Sequence, residues 1–324
     1  MKPLKLIAAT ATALLAATAQ EPQTAPTIKV EVDVVNILCS VRDKRGALVP
    51  GLSREDFVVK EDGKQQEIRY FSRETDLPLT LGLLVDVSRS QEKLIGIERN
   101  TASQFFKEVL RKRDMAFLIS FGSEAELLQD YTNSISLLRD GLDQLRPRGA
   151  VGGVMDGPVP TIYQTRGTVL YDAVYLASND KLKGEVGRKA IVLITDGVDM
   201  GSRVKLEAAI EAAQKADAII YSIYYYDPSA YNTGGSLTFG GGNDSILRRM
   251  SEETGGRLFK VSKKNTLEDI FKEIQEEMRS QYAIGYTPSS SVKDGAYRRL
   301  EVTSTQKDLK VQARKGYYSA TPGS

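Results

Sequence analysis

Histidine is missing from all 324 residues. Its absence removes the commonest general base and the commonest transition-metal ligand, so any metal site must use other donors. Cysteine is nearly missing too. Cys39 is the single copy, which excludes an intrachain disulfide. It alternates with Ile37 and Val41, the spacing of a small buried apolar side chain in a strand. A lipid anchor would need the cysteine directly after a leader cleavage point, where Gln20 stands. Beyond the leader, no run is long and apolar enough to span a bilayer, which takes ~20 residues. An excess of one charge is also lacking. The chain has 44 basic and 42 acidic residues, and without Lys2 and Lys5 the basic count falls to 42 (44 minus 2). A neutral chain carries no global basic field for nucleic acid or an anionic membrane.

The chain begins with a leader pattern. Lys2 and Lys5 precede an Ala-, Thr- and Leu-rich run from Leu6 to Ala17, and Ala17-Thr18-Ala19 offers small residues for cleavage before Gln20. Residues 1–19 therefore read as a secretory signal peptide, and the mature protein as exported, periplasmic or secreted. Gln20 to Thr27, with Pro22 and Pro26, reads as a flexible lead-in.

From residue 28 the apolar period is two. Val30, Val32 and Val34 alternate with acidic residues, and Ile37, Cys39 and Val41 follow. Phe57-Val58-Val59 and Ile68-Arg69-Tyr70 flank Glu61-Asp62-Gly63-Lys64, which predicts a hairpin. At Leu79 the pattern changes. Leu79–Val85, Met115–Phe121, Ala190–Thr195, Ala218–Tyr225 and Arg257–Val261 predict strands, with Glu126–Tyr131 as a further one. Helical spacing is predicted over Lys93–Leu110 (with Leu94, Ile97, Phe105 and Val109 on or near one face), Ser134–Leu145, Val169–Ala177, Lys205–Ala216, Ser245–Thr254 and Leu267–Arg279. Alternating strands and helices predict a doubly wound, mostly parallel α/β sheet over 77–280. After Arg279 the period returns to two, through Tyr282, Ile284 and Tyr286 to Leu309, Val311 and Ala313. Neither flank is large enough for a core of its own. The expectation is one small β-sandwich built from 28–75 and 281–319, with the α/β domain inserted between them.

Two long loops interrupt the α/β region, at 146–167 and 227–244. The second is Gly-rich and carries Tyr231 and Phe239, but no Gly-Lys-Ser/Thr follows it, so it is no phosphate loop.

Three short motifs carry the chemistry. Asp86-Val87-Ser88-Arg89-Ser90 ends the first α/β strand, Gly167-Thr168-Val169-Leu170 opens a later helix, and Thr195-Asp196-Gly197 ends a later strand. Loops at the carboxyl ends of parallel strands share one crest. There Asp86, Ser88, Ser90, Thr168 and Asp196 would converge as a hard-cation site suited to Mg²⁺, with Mn²⁺ or Ca²⁺ as options. Each piece alone has a structural reading. Ser90 and Thr168 are candidate helix caps, and Asp196-Gly197 is an ordinary turn after a strand.

Together the motifs resemble the metal-ion-dependent adhesion site of von Willebrand factor A domains, whose pattern is Asp-x-Ser-x-Ser, a separated Thr and a separated Asp. All five positions match. Leu52-Ser53-Arg54-Glu55-Asp56-Phe57, Glu61-Asp62-Gly63, Gly285-Tyr286-Thr287-Pro288 and Gly316-Tyr317-Tyr318 are similar to the flanks of the acidobacterial-type subfamily. The resemblance implies a non-enzymatic adhesion or scaffold module. Its partner would be a protein that presents an acidic side chain to the cation. Two alternatives stay open: a Mg²⁺-dependent hydrolase using Asp86, and a structural envelope protein whose site is empty.

Overall fold

Strand β5 (Leu79–Asp86) is buried at every residue, as a parallel strand covered on both faces must be. A computed structural model describes residues 34–73, 77–147, 167–226, 243–289, 292–319 and 321. In it β5 lies at the centre of a six-stranded sheet. The order is β10 (Leu258–Lys260), β9 (Ala218–Tyr224), β8 (Arg188–Thr195), β5, β6 (Met115–Phe121) and β7 (Ala125–Thr132). All neighbours are parallel except the edge strand β7, which returns antiparallel to β6.

Among the described residues six α-helices cover the sheet. Leu79, Leu81, Leu83 and Val85 share a core with α1 (Ile95–Val109), α2 (Ile135–Leu142) and α6 (Leu267–Arg279). Leu84 shares the opposite core with α3 (Leu170–Leu176), α4 (Leu206–Lys215) and α5 (Asp244–Thr254). The two faces follow from the alternation of side chains along a strand. Gly82 is required on the second face, because a β-carbon there would come within 2.5 Å of the Phe117 ring. The expected doubly wound α/β architecture is the one observed.

The flanking segments form two four-stranded antiparallel sheets. One runs β13 (Lys310–Ala313), β1 (Val35–Arg42), β11 (Tyr282–Tyr286), β4 (Ile68–Arg73). The other runs β14 (Gly316–Tyr318), β12 (Tyr297–Ser304), β2 (Phe57–Glu61), β3 (Lys64–Gln66). Each sheet mixes strands from both ends of the chain. Ile37, Cys39, Val59, Tyr282, Ile284 and Leu300 close one core between them. Cys39 is buried there, and burial pushes its thiol up to about 12, so it packs as an apolar side chain.

Three expectations need correction. The turn at Asp62-Gly63 is a hairpin, with both residues at positive φ, but the returning strand is β3. Ile68–Arg73 crosses instead to the other sheet and pairs with β11. Ile97 is 52% exposed, and the buried stripe of α1 is Ile95, Glu98, Ala102, Phe105, Phe106 and Val109. In the helix expected over Ser134–Leu145, Leu137, Leu138, Leu142 and Leu145 all fit the helical period, but Leu137 faces outward while the other three face the core. The leader, the lead-in and most of both long loops, with Tyr231 and Phe239, lie outside the described residues.

A polar seam joins α6 to the sandwich. Glu277 is buried and accepts from Ser40 Oγ at 3.1 Å and from Arg42 Nη2 at 2.6 Å. Arg257 Nε lies 3.0 Å from Glu277 Oε2 as an ion-pair contact. Arg188 Nη1 donates to Met278 O at 2.6 Å, and Gln281 Nε2 to the buried Tyr221 hydroxyl at 3.3 Å.

Candidate cation site

After β5 the chain moves to β6 on one side, whereas β8 flanks β5 on the other. Such a change of direction opens a crevice at the carboxyl ends of the strands. Asp86 and Thr195 are the last residues of β5 and β8, so both stand at that crevice.

The Asp86 carboxylate is fully buried and its oxygens are held from two sides. Ser88 N–H donates to Oδ1 at 2.9 Å, and Thr195 Oγ1 donates to Oδ2 at 2.6 Å. Thr195 Oγ1 in turn accepts from Gly197 N–H at 3.1 Å. Ser88 and Ser90 hydroxyls lie 3.0 Å apart, and Ser90 Oγ donates to Asp196 Oδ2 at 2.7 Å. Val198 N–H donates to Asp196 Oδ1 at 3.1 Å. Four of the five candidate residues are thus joined by a short polar network.

Thr168, the fifth, reaches the crest through its backbone. Val169 N–H donates to Gly122 O at 2.8 Å, and Gly122 packs beside Val87 and Ser88. Met200 N–H donates to Thr168 O at 2.9 Å. The capping readings are not realised. α1 has Leu94 at its N-cap and α3 has Val169, both without a side-chain cap bond. The Ser90 hydroxyl is spent on Asp196 instead.

The turn after Asp196 requires glycine. Gly197 has φ +78°, and a β-carbon there would lie 2.3 Å from Asn243 O. Asn243 N–H donates to Asp196 O at 2.8 Å, which ties the start of α5 to the site.

The electrostatics favour an added cation. Burial, and then the neighbouring Asp196 carboxylate, push Asp86 up to about 7. Beneath the crest, Glu98 on α1 is also fully buried, and neither of its carboxylate oxygens has a hydrogen-bond partner. Burial first, and the Asp86 charge second, raise it well above the usual carboxylate range. Gln91 Nε2 donates to Tyr225 O at 3.1 Å nearby, while its Oε1 is buried without a partner. Among the described residues no group of three or more His, Cys, Asp or Glu side chains is placed to hold a metal. The donor set is instead two carboxylates and three hydroxyls. All are hard oxygen donors, which fit a hard divalent cation.

Sequence reasoning missed Thr195, which fixes Asp86, and Asp199 and Ser202, which pin the loop beyond Gly197. Ser202 Oγ donates to Asp199 Oδ1 at 2.5 Å and accepts from Tyr171 N–H at 3.0 Å. A polar residue ending a buried apolar strand was the available signal for Thr195.

No protein-family model and no curated protein matches the sequence. Solved structures similar to the chain include von Willebrand factor A-type proteins. One is the vWF domain of a type V pili tip protein from Porphyromonas gingivalis, with 13% identity, 62% of this chain and 94% of that chain covered, and a TM-score of 0.42. Another is the conserved hypothetical protein BatB from Bacteroides thetaiotaomicron, with 17% identity, 62% and 97% covered, and a TM-score of 0.44. A third is proximal thread matrix protein 1 from the mussel byssus, described with a zinc-occupied MIDAS motif. It has 14% identity and a TM-score of 0.48, and this chain covers 50% of its length with 68% of its own. Among the described residues no helix is long and apolar enough to cross a membrane.

Proposed function

We propose that the chain is an exported, cation-dependent protein-binding module of the von Willebrand factor A type, serving adhesion or scaffolding. Its α/β domain would span 77–280, inserted in a sandwich made by 28–75 and 281–319, behind a cleaved leader of 1–19. The observation that carries this reading is the network at the switch point. Ser88, Ser90 and Asp196 are drawn together around the Asp86 carboxylate, which burial pushes up to about 7.

Asp86, Ser88, Ser90, Thr168 and Asp196 would hold the cation, with Mg²⁺ first and Mn²⁺ or Ca²⁺ as options. Neutral hydroxyls supply oxygen without charge, so the ion keeps Lewis acidity for one further anionic donor. A carboxylate of a protein partner is the fitting donor. The hydrolase alternative asks Asp86 to attack or to accept a proton. Both of its oxygens are already engaged, by Ser88 N–H and the Thr195 hydroxyl, and the chain has no histidine to assist.

Titration calorimetry of the full chain with Mg²⁺, Mn²⁺ and Ca²⁺ tests the reading. One saturable site is expected, lost in Ser88→Ala and in Asp196→Ala while both variants keep their secondary structure. Wild-type affinity in Asp196→Ala would overturn it. Absence of binding for every cation would leave the structural reading with an empty site.

A further inference from the structure

We propose that Arg89 and Met200 form a recognition rim around the cation site, selecting a partner segment in which an acidic residue stands beside an apolar one. This inference rests on the cation-dependent binding proposed above and deepens it.

Arg89 sits between the two candidate serine ligands, on the short 3₁₀ turn Arg89–Gln91 whose N-cap is Ser88. Its side chain is exposed, and its guanidinium makes no hydrogen bond or ion pair with the described residues. An exposed arginine is usually only solvated. This one stands next to Ser88, whose N–H fixes Asp86, and next to Ser90, whose hydroxyl reaches Asp196. The turn that carries it is therefore anchored at both ends. A guanidinium offers a planar fork of donors that matches a carboxylate. Beside a cation with one open position, it gives a second positive contact to the same anion or its neighbour.

Met200 supplies the other chemistry. It is 73% exposed on the loop that follows Asp196. Scattered exposed apolar residues need no explanation, but this one is rigidly presented. Its N–H is bonded to Thr168 O, and its β-carbon lies 2.5 Å from where a β-carbon on Gly167 would be. The rest of the loop is fastened too. Asp199 Oδ1 accepts from the Ser202 hydroxyl, and the Asp172 carboxylate accepts from Arg203 and Val204 N–H at 2.8–3.0 Å. Because the loop backbone is already ordered, binding there costs only the ordering of the Met200 side chain. Gly167 is thereby explained by the close approach of Met200, one residue before the candidate ligand Thr168.

The partner then follows from complementarity. An acidic side chain meets the cation and Arg89, and an adjacent Leu, Ile, Val or Phe packs on the Met200 thioether.

The test uses the full chain with Mg²⁺ and a displayed library of random twelve-residue peptides, followed by affinity measurements on the enriched sequences. Enriched peptides should carry an acidic residue beside an apolar one, and chelator should release them. Arg89→Ala should weaken the best peptide about tenfold, the loss of one charge-assisted contact. Met200→Ser should leave the acidic requirement but erase the preference for Leu over Ser at the adjacent position. Both variants should bind Mg²⁺ within about threefold of wild type, since neither donates an oxygen to the ion. Chelator-sensitive binding that is undiminished in Arg89→Ala, with the Leu preference intact in Met200→Ser, would overturn the rim and leave the cation module standing. Failure of the wild type to bind any peptide in a chelator-sensitive way would overturn both.

Discussion

Glu277 and Asp86 are both acidic and both fully buried, yet the fold treats them in opposite ways. Glu277, at the seam between α6 and the sandwich, lies against Arg42 and Arg257 and accepts from Ser40. Asp86, at the crest, is held by a backbone N–H and a threonine hydroxyl, with a second carboxylate nearby that works against its charge. A buried carboxylate closed by two guanidinium groups is a fastener, because its charge is answered within the chain. One answered only by neutral donors is short of positive charge. The contrast separates an acid whose charge is answered within the chain from one whose charge is not, on the basis of partners rather than depth.

The largest test of the contrast is the pH response of the cation-free protein. Asp86 stands at about 7 in the fold against an ordinary 3.8. Between those values the folded chain keeps a proton that the unfolded chain has released, so stability falls as pH rises through this window. At about 1.4 kcal/mol per pH unit the loss reaches up to about 4 kcal/mol. Urea unfolding across the range should show a markedly steeper fall in the wild type than in Asp86→Asn, which keeps only the part due to Glu98. Mg²⁺ near neutral pH should restore the wild type alone. Parallel pH profiles for the two proteins would break the contrast.

The fastener predicts the opposite behaviour. Glu277→Ala strands two arginines at a seam and should cost about 3 kcal/mol. The loss should be the same with and without Mg²⁺, and urea midpoints measured in both conditions check it. A Mg²⁺-dependent penalty would mean that seam and crest are one coupled system.

Glu98 sharpens the contrast at its limit, since its carboxylate has no partner of either kind. Its acid is raised well above the ordinary 4.5, so it too lowers stability as pH climbs above that value. Glu98→Gln should remove that part of the pH slope and gain about 1 kcal/mol near neutral pH, the smallest of the three effects. Unfolding midpoints that move the other way would point to a partner for Glu98 in solution, such as a buried water.

Much of this was legible in the sequence, and the gaps have physical causes. Apolar runs such as Leu79–Val85 announce strands covered on both faces, because nothing but burial explains seven residues without a charge. Period-two alternation shows which side of a strand is buried but not which strand lies beside it. The Phe57 and Ile68 segments therefore read as hairpin partners, although Ile68–Arg73 pairs with β11 from the far end of the chain. Leu94, Ile97, Phe105 and Val109 set the phase of α1 expected from the sequence, and of these Phe105 and Val109 are buried. The structure turns Ile95 and Glu98 inward, and a charged residue in the buried stripe is what hides that phase. At the crest, Asp86, Ser88, Ser90 and Asp196 form a recognisable spacing and are found together. Met200 matters through a contact between loops distant in sequence, which no local pattern reports, whereas Thr195 shows only as a polar residue ending an apolar strand.

The position of β1 has a consequence for how the protein is made. It lies between β11 and β13, so Val35 waits for Tyr286 and Cys39 for Ala313. A chain emerging from its amino end offers this strand before the α/β body, and its partners only after that body. The α/β body can gather around β5 in the meantime, but β1 stays unpaired on both edges until β11 and β13 have emerged. Unpaired apolar strands invite pairing between chains. The interval between the emergence of β1 and that of β11 is therefore the one most exposed to aggregation, and a holding chaperone that masks residues 35–42 would act within it.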